Sequence, residues 1–550
     1  MRKKSAILVF FVVLTVMLCS CFGKKGSAPS VVSGSADVPG WKANVIKPIQ
    51  FDWYINFSWF SRQWGESRVS KYITAKTGVD VRFIVPAGNE AERLNAMIAG
   101  GVLPDFITLG FWEGQIPMMI DAEMVEPLNK LAEQYDPFFF KAANPQKLGW
   151  YTQDDGNVYG YPNASFTPSD FERYKGMMTA NETFLVRKDM YEAVGKPDMT
   201  TPDGFLNALR AVKQKYPTVN GQPIIPIVFN AFTDIGNVSL ESYLQHFLAI
   251  RPEKNGKYES PSLGLDDPEY VRWLKVFRRA ASEGLISMDV FVDGRSQIEE
   301  KAAQGRYFAM IFQNWDMQAP QHARYSIDPN TIYIAVDGPK NSKGSDPFLP
   351  GGGIAGWTVT LISKNCKDKV RAIQFLTYLI SEEGQMDTYF GVPEGNPFGI
   401  ASTYTIVNGV PTLLPDVDFI DKNDKNRQEV EIGVQYTYWM LMDNPWIQQF
   451  PIEYAPSLEQ PQLWTRPYVV SYAQYDNLSM IPGSDEALIN DTIARRWGQD
   501  LPKLLLAKTE SEFDKIWADF QKFKTDTGYA RLQVKQTELM NANKKKLGIN

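Results

Sequence analysis

The chain has 550 residues, 22% of them charged, and a formal net charge of −6. An acidic chain is a poor partner for nucleic acid, because neutralising phosphates requires concentrated Lys and Arg. The only histidines are His246 and His322, which excludes a multi-histidine metal site and disfavours a Ser-His-Asp or Cys-His nucleophile. The length exceeds what one hydrophobic core can organise, so at least two domains are expected.

Residues 1–20 have the pattern of an export signal. A basic start at residues 2–4 is followed by an uncharged apolar run from residue 6 to 18. That run is short for a membrane span, which needs roughly 20 apolar residues. It ends in Leu-Cys-Ser-Cys, which resembles the lipobox of bacterial lipoproteins. Cys21 suits the lipidated position better than Cys19, because the small Ser20 precedes it. An ordinary secretory signal with incidental cysteines is the alternative.

Cleavage before Cys21 has consequences for charge and for cysteine chemistry. The mature chain loses three basic residues and carries a net charge of −9. With Cys21 acylated, Cys366 is the one cysteine left, so a disulfide within the chain is excluded. Residues 21–44 are rich in Gly, Ser, Ala and Lys, and we predict a lipid anchor followed by a flexible tether. The expected location is the extracellular face of the cell membrane, or its periplasmic side.

Strand and helix patterns alternate beyond the tether. Strands are predicted over residues 49–55, 79–85 and 105–109, and a helix is predicted over 90–98. This alternation is typical of βαβ units with a largely parallel sheet. Because such sheets bind ligands at the carboxyl ends of their strands, the residues that follow each strand are the first candidates for a site.

Several segments resemble the family 1 extracellular solute-binding proteins of ABC importers, especially the LipO-like lipoproteins. The segment GVLPDFI at 101–107 is similar to a helix-to-strand segment of that family, and GNVYGYP at 156–162 is similar to the family's first crossover between the lobes. LVRKDM at 185–190 and GRYFAM at 305–310 resemble further motifs of the family and follow in the same order along the chain. Within the first of these segments, we interpret Pro104 and Asp105 as structural, with Asp105 tying the loop backbone.

The resemblance implies an α/β fold of the periplasmic-binding-protein type, with two lobes, hinge crossings and a ligand cleft between the lobes. Lobe 1 is expected from residues 45–165 and 357–420, and lobe 2 from 170–350 and 430–550. The implied function is capture of a carbohydrate, an oligosaccharide in the first instance, by lobe closure. A monomer without enzymatic activity or cofactor would then deliver the solute to the permease subunits of an ABC transporter in the membrane.

A sugar site needs flat aromatic rings beneath the sugar and polar groups at its rim. Candidates at predicted strand ends and crossings are Asn56, Trp59, Phe111, Trp112, Asn163, Asn230, Asp234, Trp315, Asp316 and Trp357. Trp357 follows the glycines at 351–353 and either lines the cleft or wedges the hinge. Trp53 lies inside a strand and is expected in the core.

The resemblance also allows a prediction about calcium binding. Some LipO-like relatives carry an acidic calcium loop, and the corresponding stretch here spans residues 216–226. It contains no carboxylate. Calcium takes six to eight oxygen ligands, usually including carboxylates, so we predict no calcium at this loop.

Other functions remain open at this point. A lipid-anchored glycosidase or polysaccharide lyase needs only two well-placed carboxylates, and the chain has 63 acidic residues. A binder of another solute, such as a peptide, would have the same fold. A surface scaffold without a solute is a further alternative, and it would show no ligand-dependent closure.

Overall fold

The computed structural model describes residues 32–44, 47–435, 437–442, 445–450, 454–481 and 483–549. The predicted export signal, the lipidation site at Cys21 and the tether up to residue 31 lie outside the described residues. Among the residues that are described, no helix has the length and apolar character needed to cross a membrane.

The described strands are β1 Ile49–Ile55, β2 Val79–Ile84, β3 Phe106–Gly110, β4 Gly160–Asn163, β5 Glu182–Arg187, β6 Thr218–Val219, β7 Gln222–Pro223, β8 Ile225–Val228, β9 Glu253–Lys254, β10 Lys257–Tyr258, β11 Tyr307–Gln313, β12 Tyr333–Ala335, β13 Leu349–Pro350, β14 Thr358–Ile362, β15 Tyr404–Val407, β16 Val410–Leu413 and β17 Val469–Val470. The three strands predicted in the first lobe are confirmed to within one residue at each end.

The described α-helices are α1 Arg68–Thr77, α2 Glu90–Ala99, α3 Gln115–Asp121, α4 Leu128–Tyr135, α5 Phe139–Ala142, α6 Pro145–Tyr151, α7 Pro168–Arg173, α8 Lys188–Ala193, α9 Pro202–Lys215, α10 Leu244–Phe247, α11 Pro268–Ser282, α12 Arg295–Ala303, α13 Gln318–Ile327, α14 Lys369–Ile380, α15 Glu382–Tyr389, α16 Pro415–Asn423, α17 Lys425–Arg427, α18 Glu459–Thr465, α19 Asp485–Leu506, α20 Glu510–Asp526 and α21 Tyr529–Leu547. Short 3₁₀ turns and two π-helical turns, Ser239–Tyr243 and Gln428–Ile432, connect some of them.

The first sheet has five strands in the order β2-β1-β3-β14-β4. Strand β1 runs parallel to β2 and β3, whereas β14 is antiparallel to both of its neighbours. The carboxyl ends of β1, β3 and β4 therefore meet the beginning of β14 at one edge. Asp105 supports this sheet as predicted, because its carboxylate accepts backbone N–H groups of Asp52 at 2.8 Å and Lys367 at 2.9 Å.

The second sheet has four strands in the order β12-β5-β11-β8. Strand β11 is parallel to β8 and antiparallel to β5. The carboxyl ends of β8 and β11 consequently share an edge with the beginning of β5. The chain passes from the first sheet to the second after β4, returns before β14, and reaches the second sheet again at α18.

Each sheet has its own hydrophobic core. In the first, Trp53 is fully buried and stacks on Phe106 with ring centroids 4.4 Å apart, and Phe375 of α14 meets it edge-on. The core position predicted for Trp53 is confirmed. In the second, Trp273 of α11 packs edge-on against Phe205 of α9. The clusters that pack on the first sheet are separate from the cluster of the second sheet, and this separation is the physical basis of the two lobes, since one core rarely grows to this size.

The predicted tether is wrong over its last part. Residues 32–44 are docked on lobe 1 rather than free, and Trp41 is only 3% exposed. Its ring meets Phe138 and Tyr378 edge-on, each at a centroid distance of 5.6 Å. A composition rich in small residues permits this docking, because Gly34 and Gly40 lie where a side chain would overlap neighbouring atoms.

The later boundary between the lobes also differs from the expected one at residue 430. Ile432, Val434 and Tyr438 belong to the hydrophobic core of the first sheet. The Tyr438 hydroxyl donates to the backbone oxygen of Gln63 at 2.9 Å. We therefore propose that lobe 1 continues to about residue 450 and that lobe 2 resumes with α18.

Candidate functional site

Four of the predicted site residues meet at one edge of the first sheet. Asn56 follows β1, Phe111 follows β3, Asn163 ends β4 and Trp357 precedes β14. The Phe111 N–H donates to the Trp357 oxygen at 3.2 Å, and the Trp357 N–H donates to the Asn163 oxygen at 3.0 Å. This edge lies where the chain crosses between the lobes, so we take it as the first wall of the candidate site.

Aromatic rings cover this edge. Trp357 is the central ring: its centroid is 5.0 Å from that of Phe57, 5.8 Å from that of Trp59 and 4.7 Å from that of Trp439. Both indole pairs are nearly parallel, at 17°. We call these four residues the aromatic wall. Trp59 is 46% exposed, whereas the other three rings are half-buried, so Trp59 offers the largest free surface.

Phe57 and Trp439 are the two members that the sequence reasoning missed. Phe57 lies between the candidates Asn56 and Trp59, whereas Trp439 comes from a remote segment. The resemblance assigned its segment to lobe 2, and its neighbours are equally rich in aromatic residues, so composition did not single it out. The structure brings it to the wall because its backbone oxygen accepts from the Asn163 side chain at 2.9 Å. The only sequence signal was the aromatic density of residues 436–439.

Trp112 adds a second exposed indole beside the wall. It is 43% exposed and meets Phe111 edge-on at 5.3 Å. Its ring lies flat over Gly110, where an added Cβ would come within 2.5 Å of the indole. The last residue of β3 must therefore be glycine for this ring to occupy its place.

Asn56 lies beneath this surface and not on it. Its side-chain nitrogen donates to Glu113 Oε2 at 2.6 Å, and its oxygen accepts from the Tyr54 hydroxyl at 2.8 Å. The other Glu113 oxygen accepts the Gly110 N–H at 3.0 Å. Burial raises the pKa of Glu113. Asn56 is buried and its amide oxygen and nitrogen both have partners, so it supports the surface from below, and its direct ligand contact stays a prediction.

Asn163 is likewise buried. Its side-chain oxygen accepts from the Thr358 N–H at 3.1 Å and from the Thr358 hydroxyl at 2.6 Å. Its side-chain nitrogen donates to the backbone oxygen of Trp439. The Asn163 side chain therefore connects β4, β14 and the segment that carries Trp439. Asn163 thus positions the wall, and the direct ligand contact expected from sequence stays a prediction.

The edge of the second sheet carries Trp315 and Asp316, which follow β11. Trp315 is half-buried and its ring lies 6.2 Å from that of Tyr454, in the segment between the lobes. Asp316 pairs with Arg295 at the start of α12, at 3.1 Å, and Arg295 also binds Glu299 at 2.7 Å. Burial raises the pKa of Asp316. The carboxyl edge of the second sheet therefore carries an aromatic ring and a paired charge, as the carboxyl edge of the first sheet carries the aromatic wall.

The two candidates after β8 differ from each other. Asn230 is half-buried, and its side chain donates to the Ser239 hydroxyl at 2.9 Å. Asp234 is instead exposed on the surface and pairs with Arg495 of α19 at 2.8 Å. An ion pair with side chains that are 70% and 65% exposed is a surface feature of small energy. Asp234 accordingly leaves the list of candidate ligand contacts.

The stretch 216–226, for which no calcium was predicted, contains a tight hairpin. Strands β6 and β7 pair through a two-residue turn at Asn220 and Gly221, both with positive φ. That conformation is typical of the turns that close two-residue hairpins. Across the described ranges of the chain, no group of three or more His, Cys, Asp or Glu side chains could hold a metal ion.

Comparison with known proteins agrees with this architecture. Residues 69–393 match the model of the bacterial extracellular solute-binding protein family. The chain belongs to that family. The lipoprotein LipO of Bacillus subtilis (strain 168) is 23% identical over 363 residues, which cover 65% of this chain and 66% of that protein. The chain thus spans just under two thirds of the length of this curated relative.

Solved structures resemble the chain over most of its length. The alginate-binding protein AlgQ2, in a structure without calcium ion, has a TM-score of 0.64 at 18% identity and covers 90% of this chain and 98% of its own. Streptococcus pneumoniae FusA in complex with kestose has a TM-score of 0.63 at 16% identity, with 90% and 100% covered. A solute-binding protein from Bifidobacterium longum infantis that binds HMO has a TM-score of 0.63 at 17% identity, with 90% and 99% covered. The chain has the two-lobe fold of these proteins.

Proposed function

We propose that this protein captures an oligosaccharide between its two lobes and delivers it to an ABC import permease from a lipid anchor at Cys21. The observation that carries the proposal is the aromatic wall at the carboxyl edge of the first sheet. Sugar rings present apolar C–H faces, and an exposed indole such as Trp59 offers a flat apolar surface with a polar tip.

The surroundings of the wall suit the polar edge of a sugar. Glu113 lies beside Trp112, and the Asp316–Arg295 pair lies at the corresponding edge of lobe 2. Hydroxyl groups of a sugar both donate and accept hydrogen bonds, so a carboxylate and a guanidinium are complementary partners. A site with apolar walls and few placed polar groups is typical of small-ligand clefts.

The proteins of similar fold support the choice of solute. AlgQ2 is described as alginate-binding, FusA was solved with kestose, and the Bifidobacterium longum infantis protein binds HMO. We extend carbohydrate binding to this chain because its aromatic wall offers the kind of surface that such ligands need.

We propose binding without turnover. A glycosidase needs one carboxyl group as acid and a second as nucleophile or base. At the described edges of the two sheets, Glu113 is bonded to Asn56 and to the Gly110 backbone, while Asp316 is paired with Arg295. Carboxyl groups that are engaged in this way serve to orient a ligand.

Delivery follows from lobe closure. A ligand that contacts both lobes favours the closed state by its differential affinity, which is the hinge motion of periplasmic binding proteins. The closed form of a monomer would then be the species that the permease recognises. An anchor at Cys21 would keep this form close to the membrane.

Thermal unfolding of residues 22–550 with a panel of oligosaccharides tests the proposal. A bound glycan should stabilise the protein by about 2.7 kcal/mol at a hundred times Kd. Trp59→Ala should reduce this response to about 1 kcal/mol at the same glycan concentration, as a roughly 30-fold weaker Kd implies, whereas Phe419→Ala, which truncates an exposed ring on α16, should keep it. Recovery of the glycan intact, checked by mass spectrometry, would support binding without turnover. Cleavage of the glycan, or a response to peptides alone, would overturn the proposal.

A further inference from the structure

The docked segment 32–44, which we call the N-terminal clamp, is fastened at both of its ends. The Val32 N–H donates to Asn44 Oδ1 at 2.9 Å, and the Asn44 side chain donates back to the Val32 oxygen at 2.6 Å. Gln374 of α14 donates to the same Val32 oxygen at 2.9 Å and accepts from Asn44 at 2.8 Å. Three hydrogen bonds thus hold Val32, the first described residue: two are with Asn44 of the clamp, and one comes from Gln374 of lobe 1.

The middle of the clamp is packed as well as bonded. Trp41 is buried between Phe138 and Tyr378. The Gly40 N–H donates to Asp136 Oδ1 at 3.0 Å, deep in lobe 1. At the surface, Asp37 pairs with Lys141 of α5 at 2.6 Å. A buried Trp with these bonds is a stable attachment, because its release would expose a large apolar ring.

We propose that the clamp makes lobe 1 the membrane-side lobe and presents its α4–α5 face to the lipid bilayer. This inference rests on the proposed anchor at Cys21. With Val32 fixed, only residues 22–31 separate the anchor from the folded protein. A chain from Cys21 to Val32 reaches at most about 40 Å when fully extended.

The reach of this short chain is smaller than the protein. A folded chain of this length has a radius of gyration of about 24 Å, and hence a diameter of about 60 Å. The bilayer therefore stays on the clamp side of the molecule. If residues up to 44 were free, the reach would double to about 80 Å and either lobe could face the lipid. Lobe closure then becomes a movement of lobe 2 relative to a lobe 1 held at the membrane.

Energy transfer from single labels to acceptor lipids tests this orientation. The lipidated protein is reconstituted in vesicles with a headgroup acceptor, and a donor is attached at Lys130→Cys on α4 or, in lobe 2, at Val292→Cys or Lys522→Cys, all well exposed positions. The Cys21 sulfur is consumed by the lipid and Cys366 is buried, so the introduced thiol reacts alone.

We expect several-fold higher transfer from the Lys130→Cys label than from either lobe 2 label. Insertion of about 20 Gly and Ser residues after Gly26 should reduce this difference without touching the fold. The clamp variant Trp41→Ala with Asn44→Ala should reduce it in the same way. If that variant unfolds, the insertion variant alone tests whether the tether length sets the orientation.

The outcomes separate the two proposals. Protein that does not float with the vesicles overturns the anchor at Cys21, and the orientation with it. Protein that floats but transfers equally from both lobes overturns the orientation alone. An insertion that leaves the difference unchanged would show that the tether length does not set it, and would overturn the clamp as its cause.

Discussion

Trp357 stacks on Trp439 with ring centroids 4.7 Å apart, and this contact joins two crossings between the lobes. Trp357 starts the return into the first sheet, and Trp439 lies on the segment that leaves lobe 1 for the last time. A ring pair at this position couples the candidate ligand surface to the hinge. Bending of either crossing would disturb the wall, and a ligand on the wall would stabilise one arrangement of the crossings.

We expect Trp439→Ala to weaken glycan binding although Trp439 need not touch the ligand, because the stack loses a ring that supports Trp357. Removing a central aromatic anchor from a binding site typically weakens binding by about 2 kcal/mol, or roughly 30-fold in Kd. Trp439→Ala should have a smaller effect than Trp59→Ala. In isothermal titration calorimetry, the double variant of Trp59→Ala and Trp439→Ala should lose less binding free energy than the sum of the losses in the two single variants, because both rings belong to one stack. Strict additivity would contradict a shared stack, and Phe419→Ala is the control.

Gly110→Ala is expected to weaken binding by displacing Trp112. The added Cβ would lie 2.5 Å from the indole, so the ring must leave its place over the strand end. In a Trp112→Ala background, the same change should cause no further loss of affinity. Gly149→Ala is the matched control, because a Cβ there meets open space on α6 and should stabilise the helix by about 0.5–1 kcal/mol. An effect of Gly110→Ala that persists without Trp112 would place its cause elsewhere.

Stability should fall with rising pH because of Glu241. Burial raises the pKa of Glu241 from 4.5 to about 8, against the lowering effect of its bonds from Asn237 and Trp497. A group whose pKa is raised on folding binds more protons in the folded chain, so its contribution is complete below pH 4.5 and is lost as the pH rises to 8. The contribution of Glu241 to the free energy of unfolding should decrease by about 1.4 kcal/mol per pH unit in this window.

Glu241→Gln should reduce the slope by the contribution of Glu241, since the amide oxygen still accepts both bonds and nothing ionises at this position, while other buried carboxyl groups such as Asp476 keep their own smaller contributions. Denaturant unfolding at pH 5 and pH 8 measures the difference. The variant should match the wild-type protein more closely at pH 5 and exceed it at pH 8. Glu192→Gln, at an exposed site on α8, should leave the slope unchanged. A slope that is unchanged in Glu241→Gln would exclude Glu241 as a source.

The single cysteine of the folded body should be inert in the native protein. Cys366 is buried, and burial raises the pKa of its thiol to about 12, so almost no thiolate exists near neutral pH. A maleimide should leave Cys366 unmodified over hours and modify it fully in denaturant, as read by mass spectrometry of residues 22–550. Rapid labelling of the folded chain would show that this region opens.

The sequence by itself determined the strands of the first lobe, the family and the core position of Trp53. These depend on local patterns: apolar runs bounded by glycine, alternation within a strand, and short motifs in a shared order. It also directed attention to strand ends, where Trp59, Trp112 and Trp357 are found. Local patterns suffice for Trp59 and Trp112 because the parallel strands β1 and β3 end at the same edge. Trp357 reaches that edge from the other direction, since it precedes the antiparallel strand β14.

Only the tertiary structure decided which of those residues are free to meet a ligand. Asn56 and Asn163 occupy strand ends as predicted, but partners distant in sequence bury them, and Asp234 is turned outward to Arg495. Trp439 joined the wall because a backbone bond brought a remote segment to Asn163. The docking of the segment 32–44 was likewise not predictable from its sequence. Its composition suits a free tether, and the contacts of Trp41 and Asn44 with lobe 1 hold it in place, which no pattern within the segment itself encodes.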